Sequence, residues 1–110
     1  MRRLFLVLIT VLAYQVVLAE ELIPRSMPEK AKYYLITVEK DGEHLKSVHR
    51  RTSSWGTGYS VTRIDCVNRR YMDLGYGDDS QSNIKMYDTT QWTAPINGSS
   101  KSDLVNFVCK

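Results

Sequence analysis

Through the middle of the chain, apolar and polar residues alternate with the period of a half-buried strand. Tyr34, Ile36 and Val38 interleave with Leu35, Thr37 and Glu39. Asp41-Gly42 follows, a dipeptide favoured in tight hairpin turns because both positions tolerate positive φ. The chain then returns through Leu45 to Arg51, a polar segment with no clear apolar face, which predicts an edge or exposed strand. Thr52 to Gly58 is rich in Ser and Gly and predicts a loop or bulged bend carrying Trp55. Tyr59 to Cys66 is rich in β formers, but Val61 and Ile64 differ in parity. That leaves two expectations open, burial on both faces or a bulge. Met72, Leu74 and Tyr76 alternate cleanly with Tyr71, Asp73 and Gly75. Gly77 to Asn83 reads as a hairpin loop, Ile84 to Tyr87 as a returning strand, and Asp88 to Gly98 as irregular.

Only the end of the chain has helical spacing. Leu104, Val105, Val108 and Cys109 fall on one face, and Ser100 with Asp103 resembles a capping box. The expected fold is therefore α+β, mainly β: an antiparallel sheet with a short C-terminal helix. A helix of this length is not stable alone and needs the sheet to cover its apolar face.

The start of the chain has a different pattern. Met1-Arg2-Arg3 is basic, Leu4 to Leu12 is apolar apart from Thr10, and Val17 and Ala19 are the small residues before a cut. This order predicts a secretory signal peptide over 1–19, cleaved between Ala19 and Glu20. The run is shorter than the roughly 20 residues of a membrane-spanning helix, and nothing after it is apolar enough to span. Glu20 stands after the cut where a lipidated Cys would be required, so the expected product is exported, periplasmic or secreted, and not lipid-anchored. Residues 20–32, with Pro24, Pro28 and many charges, predict a loose leader before a single domain over 33–110.

The 110 residues carry a formal net charge of +3, but removing the signal takes Arg2 and Arg3 with it and leaves +1. That balance argues against a dedicated nucleic-acid binder. In an exported chain the single pair Cys66 and Cys109 predicts a disulfide that pins the helix to the sheet.

The candidate chemistry is sparse. His44 and His49 are five apart on one strand and should face opposite ways, so they do not form a joint metal or proton site, and exposed side chains are expected. Gly58-Tyr59-Ser60-Val61-Thr62 lacks the last Gly of a nucleophile elbow. Asp78 to Asn83 lacks the Gly and Glu of a calcium loop. The basic clusters His49-Arg50-Arg51 and Arg69-Arg70-Tyr71 fit either anion contact or a solvated strand face. Asn97-Gly98-Ser99 matches a glycosylation triplet and also fits a turn into the helix. No catalytic constellation, metal site or cofactor is expected.

Arg63-Ile64-Asp65-Cys66, then Arg69-Arg70-Tyr71, Trp92, Pro95, Gly98-Ser99 and Val108-Cys109 follow one another in an order that resembles the surface-adhesin protein E family of small exported bacterial proteins. The resemblance is clearest from Tyr59 to Cys109. It implies a sheet with a C-terminal helix and one disulfide, and the matching positions are Cys66 and Cys109. The resulting functional expectation is a non-enzymatic, envelope-associated binding module, adhesin-like, whose partner is a protein or envelope component. A small secreted hydrolase or nuclease using His44 or His49, and a periplasmic enzyme inhibitor, are the alternatives. Arg50, Arg51 and Trp55 are the expected border of a binding surface, with a core-capping role as the other reading of Trp55.

Overall fold

The computed structural model describes residues 20–110, so the predicted signal peptide lies outside the described residues. Six strands form one sheet: β1 (Glu21–Ile23), β2 (Lys32–Asp41), β3 (His44–Ser53), β4 (Gly56–Asp65), β5 (Arg70–Asp78) and β6 (Lys85–Met86). Each pairs antiparallel with its neighbour in sequence, in the order β1-β2-β3-β4-β5-β6. One helix, α1 (Ser100–Val108), follows. The predicted antiparallel sheet with a short C-terminal helix is thus the observed fold. The predicted Cys66–Cys109 disulfide joins the end of the helix to the end of β4, with the Cα atoms 5.4 Å apart.

Two bulges set which residues face the helix. On β2 the register passes from Leu35↔His49 to Thr37↔Val48, so Ile36 is the extra residue. The apolar alternation of the sequence is therefore split, and it is Tyr33 and Leu35 that enter the core. On β5 the register jumps from Val61↔Gly75 to Thr62↔Asp73, leaving Leu74 extra. Val61 and Ile64 are both buried, so the unequal parity on β4 reflects burial on both faces, and the bulge sits on the partner strand. The turn between β2 and β3 is Gly42-Glu43, one residue later than expected. Gly42 takes φ +67° at the first loop position, where a two-residue hairpin needs glycine.

The main core lies between the sheet and α1. Ile23, Ala31, Tyr33, Leu35 and Ile64 meet Leu104 and Val105 of the helix, each of which is 1% exposed. Burying such side chains contributes about 1.5–3 kcal/mol apiece. The helix begins one residue before the expected box. Ser99 is the N-cap, and its hydroxyl oxygen accepts from the Ser102 N–H at 3.1 Å.

Asp103 turns instead toward the leader. It accepts from the Ser26 N–H at 2.9 Å and from the Arg25 guanidinium. Burial alone would raise the Asp103 pKa, but these bonds more than offset it and hold the pKa below its ordinary value. Arg25 also donates to Gly98 O at 3.1 Å and to Glu29 at 2.8 Å. The leader over 20–32 is consequently not loose. Ile23 and Ala31 are part of the core, β1 extends the sheet, and Arg25 ties the segment to the helix N-terminus.

The polar segment Leu45 to Arg51 also departs from expectation. This segment is not an edge. It lies within β3, paired along its length with β2 on one side and β4 on the other. Its polar residues are tolerated there because Ser47, fully buried, donates to Thr62 O at 3.3 Å, and the backbone is satisfied by two ladders.

Candidate functional site

Strands β3, β4 and β5 bring polar and aromatic residues together at two opposite ends. At the disulfide end, Asp65 is 3% exposed and holds three donors. The Asn68 N–H donates to one oxygen at 3.1 Å, while Asn68 Nδ2 and Arg70 Nε donate to the other at 2.9 and 3.0 Å. His44 Nε2 approaches within 4.0 Å. The Asn68 bonds, and after them Arg70, pull the Asp65 pKa down to about 2. Trp92 packs its ring against His44, centroids 4.9 Å apart, and lies beneath the Arg70 guanidinium at 4.8 Å. A carboxylate this well supplied with donors stays ionised and acts as a strut between the β4–β5 turn and the sheet.

His49 sits between the two ends. The β3–β4 register is unbroken, so His44 and His49 face opposite ways as expected. The expectation that they are exposed fails for His49, which is 6% exposed on a strand paired on both sides. Burial, and then the charge of Lys101, push its pKa down to about 4, while Asp73 opposes them. Its Nδ1 has no hydrogen-bond partner among the described residues.

The basic clusters dissolve into separate pairs. Arg50 reaches Glu20 at 2.6 Å and lies 4.5 Å over the Tyr34 ring. Arg51, on the other face, donates to Tyr33 OH at 3.1 Å and lies 3.9 Å from Glu29. Arg69 donates to Asn106, and Arg70 to Asp65. Ser60 lies inside β4 and not at an elbow, and Asp78 to Asn83 closes through a 3-10 turn over Gln81–Asn83.

The other end of the three strands is open. Ser54 and Trp55 form the two-residue loop between Ser53 and Gly56, and the Trp55 N–H donates to Ser53 Oγ at 3.2 Å. Trp55 is 93% exposed, so it does not cap the core. A groove of about 400 Å³ runs beside it, bordered by Arg51, Thr57, Tyr76, Asp78 and Asp79. Its floor is Gly58. A Cβ there would fall 2.8 Å from Cζ of Tyr76, so the absence of a side chain is what lets that ring lie across β4. The Tyr76 hydroxyl donates to Asp78 at 2.9 Å, which fixes the ring and raises its pKa. The Asp79 N–H donates to Thr57 O at 2.9 Å and closes the rim.

Of the three predicted border residues, Trp55 and Arg51 share this groove. Arg50 does not, since adjacent residues of a strand point to opposite faces. Tyr76, Asp78 and Gly58 were not anticipated. Gly58 reads in sequence as the end of the Ser- and Gly-rich loop, whereas it lies inside β4, where a glycine marks close approach of another group. Among the described residues no group of three or more His, Cys, Asp or Glu side chains is placed to hold a metal ion, and no helix is long and apolar enough to cross a membrane. No family model, curated protein or solved structure matches the chain.

Proposed function

We propose that this chain is an exported, non-enzymatic binding module of the cell envelope, adhesin-like in the sense of the family it resembles, and that it engages its partner through the groove beside Trp55. The observation that carries this reading is the 93% exposure of Trp55 at a hairpin tip. Trp, Tyr and Arg are the side chains enriched at interface anchors. Arg51 and Tyr76 border the same groove. The disulfide supports an oxidising compartment for the folded protein. Both histidines have structural surroundings, His44 against Trp92 and His49 buried within the sheet, and this weakens the hydrolase alternative.

The test is capture from an envelope extract. The protein carrying Trp55→Ala should lose the partner that the unaltered protein retains. Equal capture by the two proteins would remove the groove from the reading.

A further inference from the structure

Resting on that binding reading, the groove's chemistry narrows what enters it. The groove carries charges of both signs: Arg51 on one side, Asp78 and Asp79 on the other. A polyanion would meet two carboxylates, and a polycation would meet the guanidinium. Arg51 already donates through Nε to Tyr33, and one Asp78 oxygen already accepts from Tyr76. The Arg51 Nη donors, with Glu29 at 3.9 Å, a second Asp78 oxygen and the Asp79 carboxylate are left to face a ligand. Such a set alternates donors and acceptors at short range. The apolar contribution comes from one exposed indole and one phenol ring held over a bare glycine. A proline-rich peptide would need an aromatic-lined groove with few polar demands.

We propose that the groove binds a neutral saccharide, with the C–H face of one sugar ring against Trp55 and its hydroxyls shared between Arg51 and Asp78. A sugar suits this wall because each hydroxyl both donates and accepts, and because the faces of the ring are apolar. Tyr76 has a positioning role: its bond to Asp78 keeps that carboxylate turned along the groove.

The experiment is amide-resolved NMR titration of the exported protein with three neutral tetrasaccharides: a β-1,4-linked N-acetylglucosamine oligomer, a β-glucan and an α-glucan. A heparin tetrasaccharide and a decaproline peptide serve as competing classes. At least one neutral oligosaccharide should shift the amides of Trp55, Gly58 and Asp78, with a Kd of about 10 μM to 1 mM. Trp55→Ala and Asp78→Asn should each weaken it about tenfold or more, with the Trp92 signals unmoved. The proposal is overturned if no neutral oligosaccharide shifts those amides at about 10 mM, or if Trp55→Ala leaves the Kd unchanged. Should the heparin fragment or the decaproline peptide shift them instead, the groove remains the binding site and the saccharide assignment falls. Should extract capture also be independent of Trp55, the binding reading falls with it.

Discussion

Strands β3, β4 and β5 end in two surfaces built from similar residues put to different use. Near Asp65, a carboxylate, an arginine, a histidine and a tryptophan are turned onto one another, and the disulfide closes the end covalently. Near Trp55, a tryptophan, a tyrosine, an arginine and two aspartates surround an open groove. Trp92 is half-buried between two side chains, whereas Trp55 is 93% exposed. The difference shows that residue type does not separate a strut from a contact surface. What separates them is how far the aromatic ring is covered: Trp92 is packed between its neighbours, whereas Trp55 is open to water.

The largest expected effect breaks the closed end. Cys109→Ser should remove up to about 4 kcal/mol, the chain-entropy value for bridging residues 43 positions apart. Hydrogen exchange should rise in α1 more than in the sheet, which keeps its ladders. Equal loss of protection everywhere would mean that helix and sheet are one cooperative unit.

The next effect lies between the ends and depends on pH. His49 has its pKa lowered from 6.5 to about 4 in the folded protein, so the unfolded chain binds more protons across that interval. Stability is therefore complete above pH 6.5 and falls as the pH drops toward 4, by about 3 kcal/mol in all. The groups opposing and aiding this change are Asp73 on β5 and Lys101 on α1, themselves paired at 2.7 Å. Denaturant melts at stepped pH should show the slope in the parent and a flatter one in His49→Gln. Parallel slopes would remove His49 as the cause.

A smaller effect tests the helix start. Ser99→Ala should destabilise by about 1 kcal/mol, because the Ser102 N–H loses its acceptor, while Ser100→Ala should cost less. Melting temperatures of the two variants decide which serine caps.

The smallest effect on stability comes from the open end. Trp55→Ala should change stability by no more than about 0.5 kcal/mol while abolishing partner capture. A marked fall in melting temperature would place Trp55 among the supports of the β3–β4 hairpin and erase the contrast between the two ends.

The strands and the helix were legible because their burial follows simple periods, as in Met72 to Tyr76 and in Leu104, Val105 and Val108. β1 was hidden because three residues beside Pro24 are too few to show a period, and because its burial depends on a helix some eighty positions later. β3 was misread as an edge because Ser47 and His49 are polar, and polarity in sequence does not reveal a buried site in which a neighbour supplies the acceptor. The groove was half legible. Trp55 and Arg51 stood out by type, but Tyr76 and Asp78 reach Trp55 only through the β4–β5 register. Arg50 is adjacent to Arg51 in sequence, but a strand turns the two side chains to opposite faces, so only Arg51 lines the groove.

The sheet order has a consequence for how the molecule assembles. Every strand pairs with the one made just before it, so each hairpin can form from the stretch of chain at hand, without waiting for a distant segment. Cys109 comes after all six strands. The bridge therefore closes a loop that begins at the end of β4 and contains β5, β6 and α1, while the β1–β4 pairings lie outside it and need no covalent closure.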